Sequence, residues 1–455
     1  MTQDLRQLGN AELRGSPGSV GELGQANPGL LISGFLCHFT QRASMDRRGT
    51  SGLVARPPGG CRAKSNRGAA QGNTVASGMD LERVVYGRVR GVEVPRHYGD
   101  PGAEYEAARK GLAMRDRSHR SRLLLRGRAP ITALQGVLTG RMPGAPVVFR
   151  EGWVRAGIEY SAVLTPKGRM IADLRVMWGP DPEEEGLFLD VPAPAIEPLL
   201  AHLKRYVPPR LATIEDVTAD SGLLTVLGPE AADTLAEILL GSASHASEVE
   251  GLAEGEFIEG QKDQDDGLGT SGLRIARTCD VDVPAWDLFV SASRFGEVWD
   301  SLIKAGAAPI GAGVWDTLRV EAGRPAYGGD MDESTLFPET GLVDRAVDHT
   351  KGCYTGQELI VRIRDRGHVN RSLRGLLLAE GPVPKSGTEL FREDRVVGGI
   401  TSVVESPRRS GSGGGGPIGL GYVHRDVSNG EQVTVGSAAG PPAGVRELGP
   451  GWSSA

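Results

Sequence analysis

Lys351-Gly352-Cys353-Tyr354-Thr355-Gly356-Gln357-Glu358 (KGCYTGQE) packs a thiol, an aromatic ring and two glycines into eight residues. The glycines bracket the Cys-Tyr pair, which suits a tight turn that presents the sulfur. Lys351 stands two residues before Cys353, and Arg362, Arg364 and Arg366 follow. That electropositive setting favours the thiolate, the form that is nucleophilic and ligates soft metals. A plainer alternative stays open at this point: a small apolar cysteine that closes a turn.

Outward from this segment the chain changes character twice. Val314 to Ala322 reads as a helix, and Phe295 to Ala305 as another. Upstream, from Met79 to about Thr218, strands and helices alternate. Pro101 to Gly111 is a short helix with a glycine stop. Ser121 to Leu125 is a strand and Pro130 to Leu138 a helix. Tyr160 to Leu164 and Met170 to Trp178 form a hairpin around Thr165-Pro166-Lys167-Gly168. Ala195 to Tyr206 and a segment opened by Gly228-Pro229 are further helices. Strands are expected near 212–217, 222–226, 256–259, 273–278 and 286–291. Downstream of Ser372 the helical signals vanish, and short strands at turn-rich spacing predict a small β-barrel. Gly411 to Gly416 is expected to be a loop between two of these strands.

The chain has 455 residues, is 39% hydrophobic and 24% charged, and has a net charge of −6. This supports several sizeable cores and argues against a general nucleic-acid binder. With 66 Gly and 29 Pro, about a fifth of the chain, it is not a helical bundle. Four cysteines without a close pair exclude a disulfide framework, and eight histidines without ligand spacing predict no metal site. No apolar run reaches membrane-spanning length, so the expectation is a soluble cytoplasmic monomer. Gly267 to Gly272 (GLGTSG) matches the dinucleotide fingerprint literally. It follows an acidic polar stretch rather than a buried strand, so it reads as a loop. Residues 1–78 lack periodicity and carry nine Lys/Arg against four Asp/Glu. They read as a disordered or mis-annotated extension.

KGCYTGQE, followed by Val361-Arg362 and Gly367-His368-Val369-Asn370-Arg371, closely resembles the signature of the YgfZ family of folate-binding proteins. That family is linked to iron–sulfur cluster assembly and repair. It shares its fold with the aminomethyltransferase (T-protein, GcvT) of the glycine cleavage system. Further segments resemble the superfamily in the right order: His97 to His119, Leu227-Gly228-Pro229, Trp315 to Glu333, and Gly399-Ile400-Thr401-Ser402 with Ser406-Pro407.

The resemblance implies an α+β fold, a three-domain cloverleaf around a central folate cavity that ends in a small antiparallel β-barrel. It divides the chain into a folate-binding core (79–218 with 314–371), a second ferredoxin-like α+β domain (219–313), the barrel (372–437) and a flexible tail (438–455). It implies tetrahydrofolate as cofactor. Asp173 falls on an aspartate that positions the folate amine and steers proton transfer. A lone carboxylate in an apolar strand is costly to bury unpaired, which also favours a cavity-facing role. Asp287 falls where the T-protein has its pterin-binding glutamate, and the alternative is a polar residue on an edge strand. Trp315 replaces a T-protein arginine and is able to pack on a flat ring or in a core. The leading expectation is a YgfZ-type accessory protein in iron–sulfur cluster assembly, with Cys353 as functional thiol and a cluster scaffold or client as partner. The alternatives are a tetrahydrofolate-dependent aminomethyltransferase and a folate-binding module without chemistry.

Overall fold

The computed structural model describes residues 83–89, 91–179, 186–260, 272–409 and 415–454. The expectations for residues 1–78, most of the Gly267 to Gly272 stretch, and Gly411 to Gly414 lie outside the described residues.

The apolar alternation of Leu123, Leu125, Leu187, Leu189 and Val191 builds a five-stranded antiparallel sheet. Its order is Thr213–Asp216, Ser121–Arg126, Gly186–Val191, Met170–Trp178 and Glu159–Leu164. One face is covered by helices Pro130–Gln135 and Ile196–Tyr206 and by Tyr327, Phe337 and Leu342. The second sheet has eight strands. They run Ala308–Pro309, Ala113–Asp116, Ser221–Leu227, Ala285–Ser291, Arg274–Arg277, Glu256–Gly260, Trp153–Gly157 and Val147–Arg150. Helices Ala231–Leu240 and Phe295–Lys304 bury Leu235, Leu239, Val298 and Leu302 against it. Met177 and Phe188 of the first sheet meet Leu223, Phe257 and Phe289 of the second. Phe188 and Phe289 pack edge to face, 5.7 Å between centroids.

The sequence-based boundary at 218/219 does not follow this architecture. Strands Ala113–Asp116, Val147–Arg150 and Trp153–Gly157 precede that boundary yet belong to the eight-stranded sheet. Ala113–Asp116 and Trp153–Gly157 pair with strands about a hundred residues away, which local periodicity does not reveal, and Val147–Arg150 joins through its hairpin with Trp153–Gly157.

The predicted barrel is present and closed: Arg371–Leu378, Gly416–His424, Arg395–Ser406, Glu389–Arg392, Gln432–Val435 and Pro442–Arg446. The last strand corrects the expectation of a flexible tail from 438. Pro442–Arg446 pairs with both Arg371–Leu378 and Gln432–Val435 and so closes the ring. Pro442 opens this strand, where a proline is tolerated as the first residue. Ala443 and Val445 then point inward. Trp452 is also buried, lying where a Cβ on Gly375 would collide with its ring. Helix Ala312–Glu321 joins the barrel to the rest: Val320 packs on Leu373, Leu377, Ile418 and Leu420. The Gln357–Arg366 helix is a further element that the sequence reading left out.

Candidate functional site

Two cross-strand rows of polar side chains, one from each sheet, meet beside a central cavity, and Tyr160, Arg175 and Arg115 of these rows line it. In the five-stranded sheet the register aligns Tyr160, Arg175, Asp190 and Arg122 side by side. In the eight-stranded sheet it aligns Arg115, Thr225 and Asp287. Residues opposite one another share a face, so each row presents its polar groups together. Arg175 Nη1 donates to Asp287 Oδ2 at 2.5 Å and links the two rows. The cavity leaves about 100 Å³ for the centres of water-sized molecules and is lined by Asp173, Trp315, Tyr160, Asp280, Tyr327 and seven arginines.

Its carboxylates fall into two groups. Those behind the wall are neutralised: Asp190 accepts from Arg120 Nε at 2.8 Å and from Arg175 Nε at 2.8 Å. Asp280, in the wall itself, pairs with Arg117 at 2.9 Å and lies 3.7 Å from Arg345. Burial opposes the charge on Asp280, but Arg117 and Arg345 outweigh it and hold the group below the ordinary carboxylate range. Burial likewise opposes Asp190, and Arg120 and Arg175 prevail.

Asp173 is different. Its Oδ2 accepts a hydrogen bond from the Tyr160 hydroxyl at 2.9 Å, while its Oδ1 is buried with no partner among the described residues. Burial raises its pKa despite Arg120 and the Tyr160 hydroxyl. The carboxylate thus keeps one buried oxygen short of a donor, in a residue that lines the cavity. Trp315, 5% exposed, lines the same cavity with the Arg117 guanidinium 4.4 Å and the Arg115 guanidinium 5.1 Å from its ring centroid. The ring also packs in the apolar cluster with Tyr105, Leu227 and Leu318, so indole and guanidinium groups meet at the cavity wall.

Asp173 and Trp315 both line this cavity. Asp287 does not line it. Its strand is central in the eight-stranded sheet, and its side chain is fully buried. It accepts from Thr225 Oγ1, from Arg117 Nη1 at 3.3 Å and from Arg175, which leaves no oxygen for a ligand. Cys353 is exposed and lies outside the cavity lining. The expected electropositive support is directed elsewhere, since Lys351 Nζ donates to Leu138 O at 2.8 Å and Gly140 O at 2.7 Å. Burial lowers the Lys351 pKa to about 8. The motif works as a turn: Gly356 has φ +88°, and a Cβ there would lie 2.9 Å from Leu164 Cβ and from Thr165 O.

Arg319, Glu321 and Asp330 tie the barrel to the core. Arg319 donates to Asp330 at 2.7 Å and to Ser402 at 2.9 Å, and Thr401 and Ser402 donate to Asp330 at 2.6 Å. Glu321 receives the Tyr105 hydroxyl, Arg109 and Ser406. The sequence reading missed Tyr160, Arg345 and the arginine row. Tyr160 was discoverable, because the hairpin pairs Ala162 with Asp173 and so places Tyr160 diagonally beside it on the same face.

Residues 79–351 match the family model for the GCVT N-terminal domain, and residues 371–446 match that for the glycine cleavage T-protein C-terminal barrel domain. An aminomethyltransferase of Rubrobacter xylanophilus is 30% identical over 345 residues, 76% of this chain and 85% of that protein. One from Cutibacterium acnes is 28% identical over 343 residues, 74% and 86% of the two chains. The crystal structure of glycine cleavage system aminomethyltransferase T from Bartonella henselae superposes with a TM-score of 0.66 at 19% identity. It covers 81% of this chain and 94% of its own, and it establishes the shared fold. These relatives overturn the leading expectation of an iron–sulfur accessory protein, along with its cluster scaffold or client partners. They bear the name of the alternative instead. No described helix is long and apolar enough to cross a membrane. On the extent of both domain matches and the length of the shared alignment, the chain belongs to the GcvT aminomethyltransferase family.

Proposed function

We propose that this protein is a tetrahydrofolate-dependent aminomethyltransferase. Proteins of the family bind tetrahydrofolate. The observation that carries the reading for this chain is the unpartnered Oδ1 of Asp173 in the wall of a cavity that also presents Trp315. Tetrahydrofolate bound there would supply two amine nitrogens that bond to the one-carbon unit as its bonds to the donor's amino group and to the carrier break, releasing ammonia and the free carrier. Trp315 and its two flanking arginines hold the planar ring system. Asp173 Oδ1 accepts the N–H of the reacting amine and orients it. The raised pKa of Asp173 suits it to take up a proton and release it again. Asp287 acts one layer back, fixing Arg117 and Arg175.

Calorimetric titration with tetrahydrofolate, together with turnover of an aminomethyl-loaded carrier protein, tests this reading. Saturable binding that Trp315→Ala weakens, and methylenetetrahydrofolate formation that Asp173→Asn slows strongly but measurably, are the expected results. Absence of tetrahydrofolate binding would refute it.

A further inference from the structure

We propose that Tyr160 is the positioning residue of this site. Its hydroxyl holds Oδ2 of Asp173 and so fixes the orientation of a carboxylate that lines the cavity. The inference rests on the proposed role of Asp173 and extends it to a residue outside the sequence reading.

Three observations lead to it. Among the described residues the only side-chain hydrogen bond to Asp173 is the one from Tyr160, 2.9 Å to Oδ2. Its direction is fixed. Burial first, and Asp173 second, push the Tyr160 hydroxyl well above its usual pKa, so it keeps its proton and can only donate to the carboxylate. The ring itself is clamped. The Arg345 guanidinium lies 4.5 Å from its centroid and is held by Glu254 at 2.7 Å, with Asp280 at 3.7 Å. Glu254, Asp280 and Arg345 come from separate segments, so the tyrosine is located by the tertiary fold and in turn locates Asp173. A carboxylate free to rotate would exchange its oxygens between cavity and protein. A charge-assisted hydrogen bond to one oxygen removes that freedom.

The charged and titratable groups around Asp173 frame the test. Arg120 enters from the turn before Ser121–Arg126, Arg175 from two residues along the same strand, Asp280 from the loop before Ala285–Ser291, and Tyr327 from beside that strand, its hydroxyl donating to Ile171 O at 2.7 Å. Tyr160→Phe keeps the ring beneath Arg345 and leaves these groups in place. It removes only the donor that favours the carboxylate form.

The experiment compares the full-length wild type with Tyr160→Phe, Asp173→Asn and the double variant. In the ligand-free proteins, the carbon-13 carboxyl resonance of Asp173, assigned by its loss in Asp173→Asn, is followed against pH. In turnover, kcat and KM for tetrahydrofolate are measured separately. Tyr160→Phe should move the Asp173 titration midpoint to higher pH. It should lower kcat by about tenfold or more, the scale of one hydrogen bond to a charged group, with KM within about twofold. Adding Tyr160→Phe to Asp173→Asn should cost nothing further, as expected for residues acting as one unit. An unmoved midpoint, or independent additive losses in the double variant, would overturn the proposal. If the wild type transfers no one-carbon unit, the aminomethyltransferase reading fails, while the ligand-free titration still decides whether Tyr160 governs Asp173.

Discussion

Replacing Asp287 by alanine separates a structural carboxylate from a ligand contact. The side chain is fully buried and receives hydrogen bonds from Arg117, Arg175 and Thr225. Its removal leaves two guanidinium groups short of one counter-charge inside the protein. Breaking a buried ion pair from one side costs about 3–5 kcal/mol. Here each arginine keeps a second carboxylate, Asp280 for Arg117 at 2.9 Å and Asp190 for Arg175 at 2.8 Å. The loss should therefore fall near the lower end, about 3 kcal/mol. For a cooperative unit of roughly 300 residues, an unfolding entropy of about 2 cal/mol/K per residue makes that about 5 °C in Tm. Differential scanning calorimetry of Asp287→Ala reads it directly. The deficit should persist at ~1 M salt, since salt screens buried pairs far less than exposed ones. A Tm within about a degree of wild type, coupled to a tenfold or greater loss of tetrahydrofolate affinity, would refute the reasoning. That result would return Asp287 to the ligand.

Asp173→Asn should behave oppositely, with a higher Tm at neutral pH and little transfer activity. The native pKa is raised, so the wild type bears the cost of a buried charge above that pKa. The Tm advantage of the variant should shrink as pH falls through it, which calorimetry against pH would detect. Gly356→Ala should destabilise by about 1–3 kcal/mol, because φ is +88° and Leu164 and Thr165 leave no room for a Cβ. Denaturant titration checks this. Cys353→Ser should leave both Tm and transfer activity unchanged, because the thiol is exposed and remote from the cavity lining. A loss of turnover in that variant would restore a role for the sulfur.

Much of the fold was legible because it is local. The hairpin around Thr165-Pro166-Lys167-Gly168, helix Ile196–Tyr206 with its buried Leu199 and Leu203, and the barrel strands all follow from short-range periodicity and turn chemistry. The failures share a cause. Helix Gln357–Arg366 buries only Ile360 and carries four charged residues among its last five, so it shows little apolar stripe. Pro442–Arg446 is too short for alternation to register, and only the gap between its two neighbouring strands defines it. The membership of Ala113–Asp116 in the second sheet depends on a partner at Ser221–Leu227, far along the chain.

The candidate site divides along the same line. Asp173 and Trp315 could be named from the chain because each stands inside a motif, but nothing local says what a carboxylate faces. Asp287 illustrates the limit. In sequence it is one acidic residue in an apolar strand, formally as good a ligand contact as Asp173. Its neighbours decide otherwise, and they lie 62, 112 and 170 residues away at Thr225, Arg175 and Arg117. Those contacts exist because two sheets bring their polar rows together, which is a property of register and packing. The same rows explain why a cavity lined by seven arginines can be built at all. Carboxylates set behind or within the wall, at Asp190, Asp280, Asp287 and Asp330, neutralise most of the cations before any ligand arrives. The lining carboxylate with an oxygen that lacks a partner among the described residues is Asp173. Under the proposed function, that carboxylate and Trp315 are the residues on which binding of tetrahydrofolate would depend most.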